Sequence, residues 1–410
     1  MVEEATPHIF TGFGVELEYM IVDRDTLDIM PAADKLLEAA SGRVQEEVDM
    51  GAVAWSNELA LHLVEFKTNG PVATLAGVAG CFQENVAKAN ELLGRIGARL
   101  MPTAMHPWMD PLRETKLWPH GNRDIYEAYN RIFGCQGHGW SNVQSTHLNL
   151  AFNGDEEFGR LHAAIRLLLP LLPALAASSP LVEGRVSGLS DSRLDYYRSN
   201  QRSVPSITGS VIPEPAYTRQ TYEEMILSRN YRDIAPHDPD GLLRFEWLNS
   251  RGAIARFERS AIEIRLLDIQ ECPLADLAVV SAIVAGLRAL AAERWSPFSE
   301  QAAFGVGPLV ELLNSTIREA DRAVLGDRNY LRLFGLAEKE ISAGEFWQTL
   351  VEKTMAPDDP CRSALDVILR QGPLSRRILR SLGHGFTRPE LRAVYTRLCS
   401  CLAKGEMFIP

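Results

Sequence analysis

What this chain has little of limits its chemistry. Its six cysteines, at positions 81, 135, 272, 361, 399 and 401, are scattered and form no CxxC pair, so neither a disulfide framework nor a thiolate metal site is expected. Reduced thiols in a cytoplasm are the expectation, and nucleophilic catalysis by thiol has no support in the sequence. Basic residues are in deficit: 42 Lys and Arg stand against 53 Asp and Glu, and a net charge of -11 disfavours nucleic acid and anionic membranes as partners. The opening MVEEATPHIF carries acids where an export signal needs basic residues before an apolar stretch, so export is not expected. Long apolar runs are scarce too. The most apolar one, Leu167 to Ala177, is short and holds Pro170 and Pro173, which argues against a membrane span and for a buried helix. Neither a GxxxxGKS/T loop nor a kinase-type glycine loop with its partner motifs occurs, so a nucleotide would have to be held by metal ions and arginines.

What is present is ample core material. A hydrophobic share of 46% over 410 residues allows one large core or two modest ones. Apolar and acidic residues alternate along GVELEYMIVD (14–23), a strand signal, and HLVEFKT (62–68) is a second strand stopped by Asn69, Gly70 and Pro71. Residues 32–40 and 75–97 recur at helical spacing, and RLMPTAMHPW reads as a strand running into a turn. VQSTHLNLAF (143–152) alternates again, and a long helix is expected from Glu156 to about Ala177. The stretch 178–216, rich in Ser, Gly, Arg and Pro, reads as a long loop of the kind that is usually functional. After a helical piece near 219–230 comes the strand SAIEIRLLDIQ (260–270), and from Leu274 onward the pattern is almost wholly helical. The expected class is α+β, an antiparallel or mixed sheet with helices against one face. Residues 1–300 would form one domain, and 301–410 a helical region packed on it.

Glu16 and Glu18 sit two apart on a strand, so their carboxylates project from one face while Val15, Leu17 and Tyr19 face the other way. Two adjacent anions raise each other's pKa unless a cation lies between them. Alone, such a pair also fits the wet face of a sheet. Other strands repeat the pattern: His147 and Asn149 in THLNL, Glu263 and Arg265 in IEIRLLD, with Glu65 isolated among apolar residues in HLVEFKT. If these strands are neighbours, several carboxylates, an imidazole and a guanidinium converge on one face. Carboxylate donors with one imidazole suit magnesium or manganese rather than zinc, and magnesium is commonly shared with substrate phosphates.

These segments resemble the glutamate–cysteine ligase family, which includes bacterial carboxylate–amine ligases. GVELEYMIVD is similar to the family's opening GIELE strand, and NELALHLVEFKTNGP to its second acidic strand, here with Glu58 seven residues before Glu65. AMHPW resembles its THP turn, THLNLAF its histidine strand, ASSPLVEGR its small-residue helix end, and SAIEIRLLDIQECP its late EVR…D strand. The matches follow the family's order over residues 12–275. The resemblance implies the fold of the glutamine synthetase and guanidino kinase catalytic domains, an antiparallel sheet bent into a funnel with helices on its outer face. It also implies an ATP-dependent ligase that activates a carboxylate as an acyl phosphate and joins it to an amine. Carried over position by position, Glu16, Glu18, Glu58, Glu65, His147 and Glu263 would hold Mg2+ or Mn2+. Arg265 would contact phosphate and stabilise the transferring group; Arg193, at the family's distance past the SSP turn, would be a second catalytic arginine, and Arg251 a further ATP contact. Three departures stand out: Asn149 replaces the second histidine of an HxH strand, Glu58 stands where aspartate is usual, and GCQGHGW (134–140) has no place in the family pattern.

The expected partners are small molecules, an amino-acid carboxylate and an amine, with self-association into a homo-oligomer left open. The 178–216 stretch is a candidate lid over a water-sensitive acyl phosphate. Two other readings compete: a guanidino-type phosphotransferase, which the shared sheet would allow, and a metal- and nucleotide-binding protein without turnover.

Overall fold

The computed structural model describes residues 7–410. Its organising element is β1 (Phe13–Asp23), eleven residues long, with Val15, Leu17 and Tyr19 fully buried on one face and Gly14, Glu16 and Glu18 on the other. A strand of this length can pair differently along its course. With β2 (Glu47–Asp49), β3 (Val53–Asn57), β4 (Leu63–Thr68), β5 (Ala98–Met101) and β6 (Ser145–Ala151) it builds most of one sheet. β7 (Leu181–Val182) and β8 (Arg185–Val186) form a small separate hairpin, and β9 (Ala253–Arg256) and β10 (Ala261–Asp268) complete the main sheet. The order is β2-β3-β4-β1-β6-β10-β9, with β5 added to the far end of β1, and the pairings are antiparallel. The α+β expectation therefore holds.

Three helices supply the cover for the apolar face: Val78–Gly94, Gly154–Leu168 and Pro273–Ala291. Leu17, Tyr19, Phe66, Leu148 and Ile264 from the sheet share one core with Phe82, Val86, Leu161, Ile165, Val280 and Ile283 from these helices. Pro273–Ala291 is long and apolar enough to cross a membrane by length and composition, but 72% of that stretch is buried in the fold, as befits a central core helix. The single helix expected from Glu156 to Ala177 is broken: it stops at Leu168, a 3-10 turn covers Leu169–Leu171, and a short helix resumes at Pro173–Ala176. Proline lacks the N–H that would continue the ladder, which explains the interruption.

The 178–216 stretch corrects the reading of an open loop. It holds the β7–β8 hairpin and the helix Ser192–Tyr197, and it buries Arg193, Leu194, Val204 and Ile207. It is a packed wall, not a free flap.

Helices Phe298–Ala303, Val306–Glu319, Ala343–Thr354, Arg362–Gln371, Leu374–Leu382 and Arg388–Lys404 make up most of the C-terminal region. The tail is tied down by a fully buried ion pair between Arg377 and Glu271. Arg377 Nη1 also donates to the Phe408 carbonyl at 2.9 Å, and Phe408 N donates to Glu271 Oε1 at 3.2 Å.

Candidate active site

The sheet face turned away from the helices forms the floor of a cavity of about 1080 Å³. Period-two alternation decides what reaches it: Gly14, Glu16 and Glu18 from β1, Glu65 and Lys67 from β4, Ser145, His147 and Asn149 from β6, and Glu263 and Arg265 from β10. Register then decides who meets whom. Glu18 stands opposite Glu65, Glu16 opposite His147, and Glu263 opposite Asn149.

Hydrogen bonds hold the carboxylates in place. Glu16 Oε2 lies 2.7 Å from His147 Nδ1, and its other oxygen accepts from Asn149 Nδ2 at 2.9 Å. Glu18 Oε2 accepts from both the backbone N (2.7 Å) and the hydroxyl (2.9 Å) of Ser145, whose Oγ is also 2.9 Å from His147 Nε2. Ser56 Oγ donates to Glu65 Oε1 at 2.8 Å. Arg265 Nε donates to Glu263 Oε1 at 2.5 Å. Arg265 sits where the β6–β10 register shifts, and on its other side its N–H donates to the Gly252 carbonyl at 2.9 Å, one step beyond the β9–β10 pairing of Ile264 with Ala253. A side chain at Gly252 would put its Cβ 2.6 Å from Leu266, so this close crossing requires glycine.

Among the described residues, two donor sets come together, Glu16–His147–Glu263 and Glu18–Glu65–His147, each with its ligand atoms within 4.8 Å of one another. They share the imidazole. This donor set fits one or two hard divalent cations such as magnesium or manganese. The protonation pattern points the same way. Burial pushes up Glu65, with the Glu16 charge adding to it, to about 8. Burial alone would lower His147, but the Glu16 hydrogen bond and the Glu18, Glu16 and Glu263 charges raise it to about 9. Burial likewise opposes ionisation of Glu16, yet His147, Arg265 and Lys67 outweigh it and hold that carboxyl at about 2. Protons stand where cations would otherwise balance the charge.

Of the five acids and one imidazole expected as ligands, Glu58 is the one outside both sets. It lines the cavity but belongs to neither donor set; burial, then the Glu18 and Glu65 charges, push its carboxyl well above the usual range. Arg265 and Arg193 both reach the cavity wall. Arg193 is 2% exposed and held by Asp268: its Nε donates to Oδ1 at 2.6 Å, while Ser178 N and Ser179 Oγ each donate to Oδ2 at 2.8 Å. Asp268 thus ties the small-residue helix end and the Arg193 helix to the late strand.

Arg251 is placed otherwise than expected of an ATP contact. It does not line the cavity; Nε and Nη2 are engaged by both oxygens of Glu214 at 2.5 and 2.6 Å, and Nη1 by the Ser206 and Ile207 carbonyls and Asn249. Five residues on, Arg256 does line it, buried beside Glu263 at 3.5 Å. Sequence reasoning passed over Arg256, and over Lys67, whose Nζ lies 2.6 Å from Glu47 and 3.6 Å from Glu65. Lys67 could have been found from its spacing, two residues past Glu65 on the same strand face. Ser145 carried the same signal, two before His147.

The GCQGHGW segment proves to be a wall of the cavity. His138–Ser141 forms a single helical turn, and Gly139 and Trp140 face the cavity. Tyr126 and Tyr129, one turn apart on the helix Arg123–Phe133, and Trp247 complete an aromatic side. His106 of the AMHPW turn is fully buried, with Nε2 2.8 Å from the Leu27 carbonyl, and is structural.

Comparisons with known proteins bear on the family and the fold. The family model described as glutamate–cysteine ligase family 2 matches residues 12–397. A protein of Archaeoglobus fulgidus named only as uncharacterized is 33% identical over 399 residues, covering 97% of this chain and 100% of that one. A Rubrobacter xylanophilus protein with the provisional name glutamate–cysteine ligase 2-3 is 29% identical over 190 residues, 46% of this chain and 49% of the relative, so the likeness spans about half its length. Among solved structures, glutamate–cysteine ligase from Francisella tularensis in complex with AMP superposes with a TM-score of 0.64 at 12% identity, covering 96% of this chain and 89% of that one. At that identity the likeness concerns the fold.

Proposed function

The chain belongs to glutamate–cysteine ligase family 2, and from that premise we propose that it is an ATP-dependent ligase joining a carboxylate to an amine. The observation that carries the reading is the convergence of Glu16, Glu18, Glu65, His147, Glu263 and Arg265, from four strands, on one cavity floor. Phosphoryl transfer asks little covalent help from a protein and much charge neutralisation along the phosphates, which this floor is built to supply. Magnesium or manganese, held by Glu16, Glu18, Glu65, His147 and Glu263, would neutralise phosphate charge.

In the proposed reaction the substrate carboxylate attacks the γ-phosphorus of ATP, the bond to the bridging oxygen breaks, and ADP leaves. The amine nitrogen then attacks the acyl carbon, the C–O bond to phosphate breaks, and an amide and inorganic phosphate result. Arg265 stabilises charge on the transferring group, and Arg193, fixed by Asp268, supports it from the packed 178–216 wall. The amine arrives as an ammonium and must lose a proton before attack. Glu58, outside both donor sets and facing the same cavity, would be the group placed to take it once cations at those sets offset the Glu18 and Glu65 charges that help keep it protonated.

A panel of carboxylates and amines, assayed for ADP and free phosphate, tests the reading. Phosphate release that depends on both substrates is expected. Phosphate retained on a stable acceptor would point to a phosphotransferase instead, and nucleotide binding without turnover on any pair would refute the ligase.

A further inference from the structure

The cavity's two ends differ in kind. At one end Gly14, Ala151 and Ala261 leave the sheet surface bare beside Asn149. At the other, beyond Glu18, stand Tyr126, Tyr129, Trp140 and Trp247. Gly14 and Glu18 are four residues apart on one strand, about 13 Å, with the donor sets between them.

The aromatic end is held by its own packing. Tyr129 lies 5.3 Å from Trp140 and 6.1 Å from Trp247 by ring centroids. Each tryptophan is backed by another ring, Trp140 by Phe133 at 5.6 Å and Trp247 by Phe245 at 5.6 Å, and Trp140 Nε1 donates to the Asn200 carbonyl at 3.1 Å. Tyr126, Trp140 and Trp247 nevertheless remain only half-buried, and they line the cavity. Preformed apolar walls with a few polar groups are the usual make-up of a small-molecule subsite. A volume of about 1080 Å³ leaves room for a second sizeable molecule beside a nucleotide.

We propose that the aromatic end is the specificity pocket for the amine substrate, and that this substrate is a primary amine carrying an aromatic group. The inference rests on the ligase reading. One observation favours the amine over the purine here. The Tyr126 hydroxyl accepts from Asn57 Nδ2 at 3.0 Å, which sets this ring beside Glu58, the group assigned to the incoming ammonium. A small amine such as ethylamine would leave the rings uncovered, whereas a phenyl group would stack on them.

The test compares β-phenylethylamine, phenylalanine, ethylamine and cysteine as acceptors in the full-length enzyme with ATP and Mg2+, across a panel of carboxylates. Aromatic acceptors should have KM values about tenfold or more below their small counterparts. Trp247→Ala should raise KM for β-phenylethylamine about tenfold, with KM for ATP within about twofold, and Trp247→Phe should restore most of the loss. If turnover occurs but small amines are preferred, or if Trp247→Ala raises KM for ATP instead, the pocket assignment is overturned while the ligase reading stands. If no pair turns over, both fall.

Discussion

Glu18 and Glu65 face each other directly across the β1–β4 ladder, two carboxylates on adjacent strands at the floor of a cavity. Like charges so placed are destabilising in an ordinary sheet. Lys67 is near, 3.6 Å from Glu65, but it is also engaged by Glu47 at 2.6 Å and does not sit between the two acids. The arrangement makes sense as a site whose charge is balanced from outside the chain.

Metal binding should therefore expel protons. Glu65, at about 8, and His147, at about 9, are both largely protonated near neutral pH in the metal-free protein. Titration with Mn2+ or Mg2+ at about pH 7.5, by calorimetry in buffers of different ionisation enthalpy, should report release of roughly one to two protons. Release of none would remove Glu65 and His147 from the ligand set.

Glu18→Gln and Glu16→Gln should separate stability from activity. Both should lower kcat by about a hundredfold or more, since each removes a charge from the floor. Glu18→Gln keeps an oxygen for the Ser145 hydrogen bonds and removes one of the charges that keep Glu65 protonated, so it should leave the melting temperature of the metal-free protein near that of the wild type. Glu16→Gln breaks the pairing with His147 and should lower it. Equal melting temperatures for the two variants would count against this electrostatic account.

Arg251 and Arg265 should fail in opposite ways. Arg251→Met leaves Glu214 without its bidentate partner and should cost about 3 kcal/mol in denaturant unfolding, with KM for ATP little changed. Arg265→Lys should fold normally and lose about a hundredfold in kcat. An Arg251 variant of full stability with a raised KM for ATP would return that residue to the nucleotide site.

His162 offers a pH signature outside the site. It is fully buried, ring-stacked on Phe158 at 5.3 Å, and burial, then the Arg166 charge, lower it from 6.5 to about 3. Between those values the unfolded chain binds a proton that the folded chain does not, so the folded state loses stability as pH falls. His162→Phe removes that loss. Its stability relative to the wild type should thus rise by up to about 1.4 kcal/mol per pH unit below about pH 6.5, read from urea unfolding at several pH values. A difference independent of pH would mean that the folded histidine titrates normally.

Much of the floor was legible because strand periodicity is local. Glu16 and Glu18, Glu263 and Arg265, and His147 and Asn149 each had to share a face once their segments were extended. The broken helix at Pro170 and Pro173 and the packed 178–216 wall were not foreseen. Proline content and small polar residues read as loop, while the burial of Arg193 depends on Asp268, 75 residues away. Arg251 and Arg256 differ for a similar reason. Each is an arginine near the β9 strand, and only the position of Glu214 makes one a strut and leaves the other at the cavity.

By itself, then, the amino-acid sequence determined which side chains project together from each strand, because alternation follows from backbone sterics within a few residues. Only the tertiary structure decided that Glu18 meets Glu65, that Glu16 meets His147, that Glu58 stands apart, and that four aromatic rings close one end. Pairing and register are settled by how whole faces bury against distant helices, and no local pattern carries that information.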